Sequence, residues 1–249
     1  LNVIANVANA GVNNGTLTAA NVETINITAT DTLLDNDANG IDDAVDTSTL
    51  KLVAINATAV AIKGNANLVL DMNGNTAVTS IDASALTGDL TVTSANTATS
   101  ATIIGGSGND DITAANLDKV FGGAGNDTIT AADLAELTGG TGADTFVAIA
   151  SATKNSYATI KDFNKAEGDS IKFANATDFQ NTKVTFASTI GFEEYLDKAA
   201  SAAGNKGVSW FTYTDAETGT NTYLVYNDAA DNKFDLATDK VIKVTGVVD

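Results

Sequence analysis

From about Thr49 to Ile104, apolar and polar residues alternate in short runs: LKLVAI, AVAIKG, LVLDM, VTSIDAS, LTVTS and ATII. Each run is rich in β-branched residues and stops at Asn, Asp, Gly or Ser, and a new one begins about every ten residues. The pattern predicts short strands with one face in a core. Two architectures accommodate it: a parallel β-solenoid, in which each strand stacks on the one a coil earlier, and a two-sheet sandwich.

After Val147 the character changes. Aromatic residues gather here, among them Phe163, Phe173, Phe179, Trp210, Phe211, Tyr213, Tyr223 and Tyr226. Phe192, Tyr195, Leu196, Ala199 and Ala200 fall on one helical face, which predicts a helix from about Gly191 to Ala203, with Ser188 or Thr189 as its cap. VSWFTYT and NTYLVYN, joined by DAETGT, predict a hairpin, and a last strand is expected from Lys240 to Thr245. Together these form a bulkier cap, expected to close the open end of a solenoid that would otherwise expose a templating edge.

Internal repeats favour the solenoid over the sandwich. GGSGNDDIT (105–113), GGAGNDTIT (122–130) and GGTGADTFV (139–147) align without gaps, and each begins 17 residues after the last. The octapeptides AANLDKVF and AADLAELT lie between them, with a fainter echo in TAANVETI from Thr18. Three coils of constant length require a solenoid, and the flanking segments share their idiom.

Composition narrows the chemistry. The 249 residues carry 31 Asp or Glu against 13 basic residues, every one a lysine, for a formal charge of −18; His, Cys and Pro are absent. Histidine zinc sites, His-based triads, thiol nucleophiles and disulfides are therefore excluded. Nucleic acid is a poor partner for so negative a field. Hard oxygen donors are plentiful, which favours a hard cation, above all calcium. No apolar run is long enough to span a bilayer. The chain starts at Leu1 with no Met and no cleavable signal peptide, and reads as a fragment of a larger protein.

Within each glycine-rich nonapeptide, the glycines permit positive φ. The sixth-position Asp supplies a carboxylate, and the apolar eighth residue (Ile112, Ile129, Phe146) points into the core. Stacking at about 4.8 Å brings Asp110 near Asp127, and Asp127 near Asp144. Like charges at that distance repel by about 3.5 kcal/mol at an effective dielectric near 20. A divalent cation between the turns reverses the sign, so folding here is expected to depend on calcium.

These nonapeptides resemble the calcium-binding repeats of the RTX (repeats-in-toxin) family, whose parallel β-roll is held by calcium between successive turns. The resemblance implies that the carbonyls of the first four residues and the sixth-position carboxylate are ligands. Here these are Gly105, Gly106, Ser107, Gly108 and Asp110; Gly122, Gly123, Ala124, Gly125 and Asp127; and Gly139, Gly140, Thr141, Gly142 and Asp144. RTX rolls repeat the glycine turn on both sides, whereas these octapeptides lack it, so calcium is expected along one side only. YATIKDFNKAEGDSIKFAN (157–175) resembles the segment that follows RTX repeats in proteins exported by type I secretion, with Thr159 where an Asp is usual. The Ala- and Thr-rich part before the repeats resembles the RTX-type S-layer proteins of Gram-negative bacteria.

The implied fold class is all-β: a right-handed parallel β-solenoid or RTX β-roll with a mixed, mainly β cap containing one helix. Three regions are expected: solenoid over 1–104, calcium β-roll over 105–147, and a C-terminal cap over 148–249 beside the secretion signal. A second calcium candidate is the twelve-residue loop 35–46, with Asp35, Asp37, Asn39, the Ile41 carbonyl and Asp46 at ligand positions. Asp46 replaces the usual bidentate Glu, and no amphipathic helices flank the loop. Asp228, Asp231, Asp235 and Asp239 form a looser acidic group. No catalytic centre is expected: Trp210, Tyr213 and Tyr223 read as cap core, and Lys161, Lys165 and Lys172 as surface.

The expected function is that of a surface-layer protein, folded by calcium outside the cell and self-assembling laterally. Its expected partners are its own copies, the type I secretion machinery and, through a missing region, a surface anchor such as lipopolysaccharide. The alternative is the secretion-and-folding module of an exported RTX enzyme or adhesin.

Overall fold

The structure is a computed structural model that describes residues 2–7, 13–31, 47–96, 99–149, 156–186, 190–229, 233–235 and 237–247. The described residues wind through eight coils, each giving one strand to each of two sheets and stacking parallel on the next. The first coil holds β1 (Asn2–Val7) and β2 (Asn13–Thr18), the second β3 (Thr24–Asp31) and β4 (Thr47–Val53). The third holds β5 (Ala59–Gly64) and β6 (Asn67–Asp71), the fourth β7 (Ser80–Leu86) and β8 (Leu90–Thr93). Coils five to seven hold β9 (Thr102–Ile104) with β10 (Asp111–Thr113), β11 (Lys119–Ala124) with β12 (Thr128–Thr130), and β13 (Glu136–Thr141) with β14 (Thr145–Ala148). The eighth holds β15 (Ala158–Ile160) and β16 (Ser170–Phe173).

Aliphatic ladders set the register. In one sheet Val60, Ile81, Ile103, Val120, Leu137 and Ile160 stack from coil to coil. In the other, Leu50, Leu70, Val92, Ile112, Ile129 and Phe146 do the same. A one-residue slip would turn either ladder out to solvent, so alternation and coil length fix the pairing together. The thin core between the sheets suits alanine and medium aliphatics, and Ile112, Ile129 and Phe146 are fully buried in it. This is the parallel solenoid and not the sandwich.

The cap adds β17 (Asp178–Phe179), α1 (Phe192–Ala203), β18 (Gly207–Asp215), β19 (Gly219–Asn227) and β20 (Lys240–Val244). Strands β18 and β19 form the expected hairpin, and β20 inserts between β19 and β15, parallel to β15. The helix forms where expected; Gly191 is its N-cap and makes no side-chain capping bond, while Ser188 and Thr189 lie outside the described residues. Leu196, Ala199 and Ala200 pack it against Phe211, Tyr223 and Val225.

Two expectations for the cap need correction. It prolongs the twelve-stranded sheet as far as β17 and leaves the eight-stranded sheet ending at β16, so it moves one sheet edge outward and pairs with neither end of the other. Trp210 does not share the aromatic core with Tyr223: residues alternate faces along β18, which places Trp210 on the side away from α1.

Candidate metal centre

The three glycine turns stack along one edge of the roll, joining β9 to β10, β11 to β12 and β13 to β14. Constant coil length places Gly123 opposite Gly140 and Ala124 opposite Thr141. Asp110, Asp127 and Asp144 are all buried, at 1% exposure each. The backbone N–H of Asp110 donates to Asp127 Oδ1 at 2.8 Å, and that of Asp127 to Asp144 Oδ1 at 2.9 Å. The row continues both ways: Leu90 N–H donates to Asp110 Oδ1 at 2.7 Å, and Asp144 N–H to Asp169 Oδ1 at 3.0 Å.

The second carboxylate oxygens differ. Asp110 Oδ2 accepts from Gly106 N–H at 2.7 Å. Asp127 Oδ2 and Asp144 Oδ2 are buried and accept no hydrogen bond among the described residues. Each lies against the first glycine of its own turn, Gly122 or Gly139, where any Cβ would collide with it. A buried carboxylate oxygen without a donor is costly, and such atoms call for an explanation such as a bound ion.

Electrostatics agree. Burial pushes the Asp127 carboxyl up to about 7, with Asp110, Asp144 and Asp89 adding like-charge repulsion. Burial likewise raises Asp110 to about 6. Asp144 is raised by burial and then by Asp169, Asp162 and Glu167. Compensating cations are scarce nearby; the Lys119–Glu136 and Lys161–Glu136 pairs are exposed on the outer sheet face.

The donor set therefore fits calcium: carboxylates and carbonyls, with glycines where a side chain would fill the space. Asp127, Asp144 and the turn carbonyls around Gly122 and Gly139 are the groups able to hold it, and its charge would offset theirs. Two carbonyls in the implied ligand set also serve the ladder: Gly106 O accepts from Ala124 N–H, and Thr141 O from Gly125 N–H. Ser107 and Thr141 have exposed side chains, so only their backbone faces the turns.

Several contributors escaped the repeat pattern. Asp162 caps the last turn, accepting from Gly139 N–H at 3.0 Å and Gly140 N–H at 2.9 Å. Asp169 joins Asp144 to Asn164, whose N–H donates to its Oδ2 at 2.7 Å. Both lie in the 157–175 segment; what hid them was the change of coil length from 17 residues to 25. A neighbouring row runs the other way: Asn109, Asn126 and Ala143 donate through their N–H groups to the side chains of Asp89, Asn109 and Asn126. On the opposite edge, buried Asp118 accepts from Ala101 and Ala115, and Leu117 and Leu134 turn the corner at φ of 68° and 59°.

The remaining candidates separate from this site. Asp35, Asp37, Asn39, Ile41 and Asp46 lie outside the described residues. Asp239 is buried and accepts from the N–H groups of Asp228 and Asp235, both at 2.8 Å, so it pins that loop; Asp231 lies outside the described residues.

The family model for the Peptidase M10 serralysin C terminal matches residues 70–247. That span takes in the fourth coil, all three glycine turns and the cap. The chain belongs to the serralysin C-terminal family. This is the RTX β-roll family, the non-catalytic part of serralysin-type proteases, and its members are secreted and bind calcium. No curated protein matches the chain.

Proposed function

We propose that this serralysin C-terminal chain is a calcium-dependent structural module of a surface layer: soluble and loosely folded where calcium is scarce, rigid and self-associating outside. The observation that carries the calcium part is the pair of buried, donorless oxygens, Asp127 Oδ2 and Asp144 Oδ2, inside stacked glycine turns. A cation bound only by the folded roll stabilises it by mass action, by about 2.7 kcal/mol at a hundred times Kd. Its ligands in this reading are the carboxylates of Asp127 and Asp144 with the carbonyls of the stacked turns at 105–108, 122–125 and 139–142.

The surface-layer part draws support from the first four coils. They carry the same two sheets continuously upstream of the glycine turns, which extends a rigid scaffold with repeated outer faces. At −18 the molecules repel one another until calcium fills and screens the carboxylates. A second reading has an observation of its own: the family is named for the C-terminal part of a peptidase, which favours a secretion-and-folding module for an upstream enzyme.

Electron microscopy and sedimentation at matched ionic strength of sodium and calcium separate the two. Ordered sheets in calcium alone are the expected result. A chain that folds with calcium yet stays monomeric at millimolar calcium and high protein concentration overturns the lattice reading and leaves the secretion module standing.

A further inference from the structure

The two sheets of the roll end at different places. Among the described residues, the eight-stranded sheet stops at β16, which pairs there with β14 alone, while the other continues past β15 through β20, β19, β18 and β17. Helix α1 covers one face of this overhang. The opposite face continues the inner plane of the roll and carries Val208, Trp210, Leu224 and Val244. Two adjoining hollows of about 780 and 290 Å³ open over it, and both are walled by Ile171, Phe179 and Leu224. Phe179 is 48% exposed there.

Three features coincide at this shelf. The first is backbone: Ser170 N–H donates to Asp144 O at 2.8 Å, so the N–H and C=O of Ile171 face away from β14, along the open edge. An open edge accepts another strand. The second is the apolar floor, which lies beneath the place where a strand added to β16 would run. The third is charge. Lys165 lines one hollow and Lys172 the other, and Lys183 Nζ sits 6.0 Å from the Trp210 ring centre, all in a chain of charge −18. Asp178 is the single carboxylate among the described residues lining either hollow; it is turned back on its own segment, accepting from Phe179 N–H and Gln180 Nε2.

We infer that this shelf is a docking site for an extended, acidic strand of another polypeptide. The strand pairs with β16 through Ile171, lays alternate apolar side chains on Trp210, Leu224 and Phe179, and sets its carboxylates against Lys165, Lys172 and Lys183. A small apolar ligand would fill the hollows but leave the edge open, and a basic strand would meet the lysine rim. Only an acidic strand answers all three features. The inference is independent of the surface-layer reading.

Trp210 is the only tryptophan in the chain, so its emission reports on the shelf directly. The calcium-loaded chain would be titrated, at fixed free calcium, with a short peptide alternating Val and Glu, with its Lys-for-Glu counterpart, and with the acidic peptide interrupted by proline. The expected result is a saturable emission shift with the acidic peptide and affinity at least about tenfold lower for the other two, or about 1.4 kcal/mol. The double variant Lys165→Glu, Lys172→Glu lies on the exposed rim and leaves the backbone intact. It should lose at least about tenfold in affinity for the acidic peptide with an unchanged circular dichroism spectrum. No saturable shift, or equal binding of acidic and basic peptides, overturns the inference. So does a shift that follows protein concentration alone with dimers in sedimentation, which would make a second copy the occupant.

Discussion

The N–H of Asp110 reaches across one coil to Oδ1 of Asp127 at 2.8 Å, while Oδ2 of the same carboxylate accepts nothing. One oxygen thus holds the roll together, and the other is buried with no donor among the described residues. Asp110 itself is different, since both of its oxygens accept backbone N–H groups.

That contrast separates two substitutions. Asp127→Asn keeps an acceptor for Asp110 but removes a buried charge, so without metal the variant should melt no lower than the parent. Its calcium-induced rise in melting temperature should shrink sharply. Asp110→Asn sets an amide against the Gly106 N–H and should lose about 1–3 kcal/mol with or without calcium. Thermal melts of both variants with calcium and with chelator test this. Equal calcium-dependent losses for the two would place the ion elsewhere.

Gly140 has φ of 106°, and a Cβ there would run into the carbonyl of Gly123 in the coil below. Gly219, in the hairpin turn, has φ of 73° with open space around it. Gly140→Ala therefore combines backbone strain with a collision inside the stack and should cost roughly 3 kcal/mol or more. Gly219→Ala meets strain alone and should cost about 1 kcal/mol. Denaturant unfolding in saturating calcium measures both; similar losses would mean that the turns relax freely.

Much of this was legible because two periodicities agree. Alternation predicts short strands with one buried face, on which the structure stacks Val60, Ile81 and Ile103, and the 17-residue spacing places Asp110, Asp127 and Asp144 on one edge. Asp162 and Asp169 broke the spacing and were missed as partners of the last turn. The unequal ends of the sheets were not legible either. Which sheet β20 joins depends on its insertion between β15 and β19, a long-range choice that local pattern does not encode.

The octapeptide corners carry a strain that can be removed. Leu134 sits at φ of 59° with its side chain 47% exposed, so a left-handed backbone is occupied by a residue that gains little burial there. Asparagine tolerates this conformation better than leucine. Leu134→Asn should stabilise the chain by about 0.5–1 kcal/mol, equally with and without calcium, because the corner lies on the edge opposite the glycine turns. A loss of stability on chemical denaturation would show that Leu134 makes contacts worth more than the strain.

Acid should stabilise the metal-free roll, against the usual trend. Asp127 is pushed up to about 7 and Asp110 to about 6, both from an ordinary value of 3.8, chiefly by burial, and Asp144 moves the same way. Between roughly pH 4 and 7 the folded chain therefore holds more protons than the unfolded one, and stability falls as pH rises through that window. The contribution is fully present below the unfolded value and is gone above about 7. In chelator, the melting temperature at pH 5 should exceed that at pH 8. Calcium needs the ionised carboxylates, so protons compete with it, and its apparent affinity should climb over the same window. The melting curves with and without calcium should accordingly converge toward pH 5 and separate toward pH 8. A calcium-induced shift independent of pH would show that Asp127 and Asp144 are not its ligands.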